Sequence, residues 1–365
     1  MIWKLRNTRL TTRYEHDTVL FRSRPAQVGA LAMGLAWLVL PLAMGEYWST
    51  VLVYAGIAAI GAIGLNLLIG FTGQVSLGHA VFYGIGAYAA AVFAGRWGLP
   101  FPLWLLAAAA VGGAVGGLVG PFALRLRGNY LAIVSLGLLV LGQHVFENWS
   151  SVTGGLTGTS VRAPVAAAGV DIASLQFGSF RLSRTQGYLY FVWIVVAVLA
   201  LAARNIVRSR PGRALQAIRD RDLAAEIIGV SQVHWKVGAF VVSSGYAACA
   251  GALYASFARF VSPLDFSLLL SIQFIAMIVV GGVGAVSGSV LGALFLTLLP
   301  RVIESMSGSI PFVSSDGTGG GLTVQSLNQA LFGLLIVGFL LFEPLGLAEI
   351  WRRLVRYFKA WPFSY

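Results

Sequence analysis

The residues able to do chemistry are few and scattered. The four histidines, His16, His79, His144 and His234, stand at no ligand spacing, and the single cysteine, Cys249, lies in an apolar run as a small packing residue. With no H-E-x-x-H and no Cys/His cluster, no metal site is expected. No G-x-x-x-x-G-K-[ST] occurs, so the chain does not bind ATP through a P-loop. Gly282-x-Gly284 copies part of a dinucleotide fingerprint, but it follows an apolar span rather than a strand, and no cofactor is expected. No nucleophile elbow or other catalytic set supports a membrane-embedded enzyme. All 13 acids fall in connecting segments or at the ends of apolar runs. A proton- or sodium-coupled carrier usually keeps an ionisable relay within its spans. A self-sufficient carrier or channel is therefore disfavoured, and any energy for transport must come from a partner.

Two polar constellations remain. The first is the charged run Arg204–Lys236, RNIVRSRPGRALQAIRDRDLAAEIIGVSQVHWK, with seven Lys/Arg and three acids. It cannot cross a bilayer, because each charge at mid-depth costs about 2.5–3.5 kcal/mol. Pro211 suits the first turn of a helix and Gly229 its stop, which predicts a helix over 213–229. Leu223, Ile227 and Val230 form an apolar stripe, and Arg219, Asp222 and Glu226 a polar face. Two readings of that helix stand side by side: insertion into a groove of a cytoplasmic partner, or rest against lipid headgroups. The second constellation is Thr72, Gln74, Ser76 and His79, set in the glycine-interrupted stretch GLNLLIGFTGQVSLGHAVFYGIGAY of 64–88. A second break, IVVGGVGAVSGSVLG over 278–292, contains Gly281, Gly282 and Gly284. Unwound backbone at membrane depth persists only where protein or a wet cavity satisfies it, and in transporters it often marks the translocation path. A tight cytoplasmic turn is the plainer reading of 70–77.

The elements that must position these residues are membrane spans. Of 365 residues, 58% are hydrophobic and 10% charged, against about 25% charged in soluble domains. Mean hydropathy is +0.82. Apolar runs at 26–44, 50–70, 78–95, 100–124, 129–146, 187–203, 236–257, 266–286, 287–301 and 327–347 predict an all-α polytopic membrane protein of about ten transmembrane helices. The ninth is short enough to be re-entrant or broken. With both termini cytoplasmic, 19 Lys/Arg fall inside and 6 outside, the asymmetry expected of positive-inside anchoring. The net charge of +12 is thus a topology signal, and nucleic acid is not expected as a partner. The chain then divides into a cytoplasmic lead (1–25), a transmembrane domain (26–347) and a cytoplasmic tail (348–365). Within the domain lie an external segment (147–186), either a docking surface or a passive loop with a short surface helix, and the cytoplasmic loop (204–236).

The stretch RSRPGRALQAIRDRDLAAEIIGV resembles the cytoplasmic coupling loop of ABC importer permeases. Ala224-Ala225-Glu226 followed by Gly229 is similar to that loop's Glu-Ala-Ala…Gly pattern, with the first three reordered. Further stretches, 64–88, LRLRGNYLAIVSLG (124–137), TGGLTG (153–158), 251–294 and FGLLIVGFLLFEPLGL (332–347), resemble the branched-chain amino-acid permease family of LivM type, in order from about residue 50 to 347. The resemblance implies a second permease subunit (LivH type), two cytoplasmic ABC ATPases and a periplasmic or lipid-anchored binding protein. It implies a bacterial inner-membrane setting and a small amino-acid or amide substrate, urea-like ones included. Arg213, Arg219, Asp222, Ala224, Ala225, Glu226 and Gly229 would couple to an ATPase. Thr72, Gln74, Ser76, His79, Gly281, Gly282 and Gly284 would lie near the path. Sugar permeases of the same broader group typically carry Gly-Ile-Asp-Leu-Ser-Val-Gly where this chain has Gly73-Gln74-Val75-Ser76-Leu77-Gly78-His79.

Overall fold

The structure, a computed structural model, describes residues 41–124, 130–167, 183–306, 322–343 and 345–360, with the short pairs 170–171, 176–177, 180–181 and 313–314. The expected first span at 26–44 lies almost wholly outside the described residues. The chain divides into Met1–Glu46 and Tyr47–Tyr365. α1 spans Glu46–Thr72, and in the second unit α2 spans His79–Ala90 and continues as a π-turn over Ala91–Arg96. Then come α3 (Leu103–Leu124), α4 (Tyr130–Asn148) and α5 (Arg184–Arg208). The charged run 204–236 forms α6 (Arg210–Asp220) and α7 (Asp222–Ile227) before α8 (Gln232–Ala258). The remaining helices are α9 (Leu268–Gly281), α10 (Val286–Met306), α11 (Val324–Phe342) and α12 (Gly346–Ala360).

Among the described residues, α1, α3, α4, α5 and α8 are long and apolar enough to cross a membrane. The pair α9–α10 makes a sixth candidate if counted as one span, bent by 118° at its glycine break. The sequence reading of 266–286 and 287–301 as two elements with a broken partner thus meets a sharp bend. The expected span at 78–95 is a helix interrupted by a π-turn.

α1 is apolar on every side, as befits a helix enclosed by protein rather than lipid. Ile57, Ile60, Ile63, Leu65, Leu67 and Leu68 are all fully buried. α8 packs along α3 and α2 through small residues. A Cβ on Gly112 would strike Ala248, one on Gly86 the Ala248 carbonyl, and one on Gly251 the Tyr83 carbonyl. Close backbone approach of this kind drives helix association where lipid removes the hydrophobic contrast. Cys249 is buried within it, as a packing residue should be. Side-chain donors tie helices to distant carbonyls: Tyr188 Oη to Leu253 O at 2.9 Å, Tyr246 Oη to Leu199 O at 2.9 Å and Trp193 Nε1 to Leu52 O at 3.1 Å.

The segment 147–186 carries a one-turn helix, Ser150–Thr153. It also carries a two-residue strand, Thr159–Ser160, antiparallel to Phe260–Val261. Gly154, Gly155 and Gly158 all take positive φ there, which explains the TGGLTG composition.

Candidate functional site

The first break starts where α1 ends. Gly73 has φ 72°, and the chain runs without helix to His79. Along this stretch the side chains alternate: Gln74 and Ser76 are buried, Val75 is exposed. The unwound amides find protein partners. Leu77 N donates to Ser135 Oγ at 2.8 Å, Ala80 N to Ser271 Oγ at 3.1 Å, and Gly78 N to Ser76 Oγ at 3.4 Å. Thr72 Oγ1 donates back to Leu68 O at 2.5 Å. The His79 ring, buried and edge-on to Phe274 with centroids 5.2 Å apart, makes a 2.9 Å hydrogen bond with Gly61 O. His79 is thus hydrogen-bonded and packed within its own chain. Gln74 differs: among the described residues its Oε1 is buried and finds no donor.

The second break, between α9 and α10, meets the first. Asn66, buried in the middle of α1, accepts from Gly284 N at 2.9 Å and donates to Ala285 O at 2.9 Å and Ser289 Oγ at 2.7 Å. One amide side chain thereby satisfies the unwound backbone of a segment more than 200 residues away. Gly282, at φ 122°, and Gly284, at φ 82°, make the bend. Gly281 packs so closely on Gly288 that a Cβ would strike its carbonyl.

The charged run 204–236 joins the same place. α6 starts at Arg210 with Pro211 in its first turn, as the sequence expects. It buries Gly212, Leu215 and Ile218 against the helical body, and its far end aims Arg219 at the breaks. The Arg219 guanidinium donates to Gly70 O in the last turn of α1, where a cation also complements the helix dipole. The same guanidinium lies beside Gly284. Arg219 thus faces its own chain rather than sharing an outward polar face with Asp222 and Glu226.

The expected single helix over 213–229 is two helices. Arg221, at φ −154° and ψ 98°, is extended, and the Asp222 carboxylate accepts from Leu223 N at 2.8 Å. A short acidic side chain that takes up a local amide starts a new helix rather than continuing the old one. α7 stops where expected: Gly229 takes φ 87°, and Val230 N returns to Ala225 O at 2.9 Å. Only Ala225 of α7 is buried. Leu223 is 63% exposed, Ile227 86% and the following Ile228 74%. Gln232, at the start of α8, holds α7 in place by donating to Asp222 O at 2.9 Å and Glu226 Oε2 at 3.0 Å. Arg213 and Ala224 are exposed, and Arg213 donates to Arg208 O at 3.3 Å.

Sequence reasoning missed Asn66, Ser135, Ser271 and Gln232. Asn66 and Ser271 each offer a signal, a polar residue with apolar neighbours on both sides within a largely apolar helix. The structure brings Arg219 and Gly284 together at the breaks, and leaves Asp222, Ala224, Glu226 and Gly229 out on the loop.

Fold and site together define a polytopic α-helical membrane protein with two unwound segments bridged by polar side chains and a docked surface loop. Residues 47–340 match the family described as "Branched-chain amino acid transport system / permease component". The chain belongs to that family. It is 33% identical to the high-affinity branched-chain amino acid transport system permease protein LivM of Escherichia coli (strain K12), over 89% of this chain and 75% of that protein. It is 27% identical to LivH of the same organism, over 79% of this chain and 90% of that one. A shorter match, 31% over 30% of this chain and 34% of the relative, is to the autoinducer 2 import system permease protein LsrC of Klebsiella pneumoniae. No solved structure matches the chain significantly.

Proposed function

We propose that the chain is the LivM-like membrane subunit of an ATP-driven importer in a bacterial cytoplasmic membrane, moving branched-chain or related small amino acids. An external binding protein delivers the substrate, and a LivH-like subunit pairs with this chain. Two cytoplasmic ABC ATPases supply the energy. About ten spans with both termini cytoplasmic accommodate this arrangement, since the charge asymmetry puts the loop on the ATPase side.

The observation that carries the reading is α7. Its Leu223 and Ile227, with Ile228 beyond, stand out from a loop whose other half is fixed to both breaks. An exposed apolar turn on a rigid mount suits insertion into a partner's groove. Asp222, Glu226 and Gly229 frame that turn. ATPase closure would push α7, α6 would carry the movement, and Arg219 would deliver it to Gly70 and Gly284. The two unwound segments then shift between two states, which alternates access to the path near Gln74 and Ser76.

The test is a double substitution, Leu223→Asp with Ile227→Asp, in the complex reconstituted with its ATPases and binding protein. Substrate-stimulated ATP hydrolysis should fall by an order of magnitude or more while the two membrane subunits still co-purify. Unchanged stimulation would overturn the coupling role of α7.

A further inference from the structure

α12 (Gly346–Ala360) takes no part in the coupling route through α6 and α7. Its apolar residues Leu347, Ile350, Trp351, Leu354 and Tyr357 repeat at intervals of three and four, which gathers them on about a third of the helix circumference. The helix also holds four cations in its sequence, Arg352, Arg353, Arg356 and Lys359, against one acid, Glu349. The first turn is anchored to the body. Ala348 is buried and Leu347 packs on the core, whereas Trp351 and Tyr357 are each 58% exposed. Gly346, at φ 67°, lies against the second break: a Cβ there would sit 2.5 Å from Gly282 N and 2.7 Å from Val280 O. Glu349 pairs with Arg352 at 3.0 Å and Arg353 at 3.9 Å, and Arg353 also pairs with Glu343 at 2.7 Å. The helix remains net positive.

We infer that α12 is an interfacial anchor that lays its apolar face into the membrane surface and binds anionic lipid headgroups, holding the glycine break at Gly282 from that surface. Three observations commit the face to lipid. The helix follows α11, read from the sequence as a span, after a turn of only three residues, so it leaves that span at the membrane surface. Trp and Tyr on an apolar face flanked by Arg and Lys are the side chains that settle at the headgroup level. The net positive charge of the helix is complementary to an anionic leaflet. A lipid grip on α12 bears directly on the bend, because Gly346 and Gly282 are in contact.

The experiment uses the assembled transporter in vesicles of phosphatidylcholine, with or without phosphatidylglycerol. An environment-sensitive fluorophore is placed by Leu354→Cys in a Cys249→Ser background. With phosphatidylglycerol present, a nitroxide lipid labelled near the headgroup should quench it strongly. Quenching should drop at least about twofold without the anionic lipid, or when Arg356→Gln and Lys359→Gln remove two positive charges. The charge-preserving exchange Arg356→Lys with Lys359→Arg should behave like the parent, which separates charge from folding. Equal quenching in both lipids would overturn headgroup recognition. A fluorophore shielded but unquenched, as under a protein partner, or one fully in water, would overturn the membrane assignment.

Discussion

α6 and α7 come from one continuous charged run, yet they bury opposite things. α6 turns its apolar residues inward, with Leu215 4% and Ile218 3% exposed, and holds the helical body. α7 turns them outward and buries little besides Ala225. Only an extended residue, Arg221, separates the two. The lesson is that amphipathicity alone does not tell which half of a loop belongs to the fold and which half is offered to a partner. The direction of the apolar face does, and that requires the three-dimensional arrangement.

The largest effect should separate the two halves outright. Leu215→Asp places an unpaired charge in the core and should cost about 3–5 kcal/mol, seen as loss of folded protein in detergent. Ile227→Asp should change stability by no more than about 0.5 kcal/mol in the same assay, since the site is exposed. Next is the pin between the breaks. Asn66→Leu orphans Gly284 N and should cost about 2–3 kcal/mol in thermal unfolding of the purified membrane pair. Ser289 Oγ keeps a weak alternative in Ala285 O at 3.5 Å, which limits the loss. Arg219→Met removes one charged hydrogen bond at a half-exposed site and should cost only about 1 kcal/mol of stability. It should nonetheless lower substrate stimulation of the ATPases several-fold if α6 transmits movement to the breaks. Smallest is Gln74→Leu. Because Gln74 Oε1 has no donor among the described residues, stability should move by less than about 1 kcal/mol in either direction. Uptake rates should change if Gln74 faces the path, and normal uptake would make it a wall residue.

Much of this organisation is legible in the chain, and the reason is local. The apolar runs, the two glycine breaks, Pro211 at the start of α6 and Gly229 at the end of α7 all act through their own backbone within one or two turns. The split at Arg221 is local too, yet a helix-forming run masks it: Asp222 competes for an amide only once the chain bends. Asn66, Ser135 and Ser271 were not legible as site residues. Each is a polar residue with apolar neighbours on both sides, and its partner lies 58 to 223 residues away. Nothing in periodicity distinguishes a pin from a tolerated polar residue. Arg219 shows the same limit from the other side. Its spacing groups it with Asp222 and Glu226, but the break between the helices sends it to Gly70 instead.

The account rests on α7 meeting an ATPase while α6 stays within its own chain. The direct measurement is photo-crosslinking in the reconstituted complex, with Cys249→Ser as the background and a benzophenone carried by Ile227→Cys or, separately, Ser209→Cys at the head of α6. The account predicts an adduct with the ATPase subunit from position 227, lost when the ATPases are omitted, and far less from position 209. Absence of any ATPase adduct from position 227, or equal yield from both positions, would contradict it.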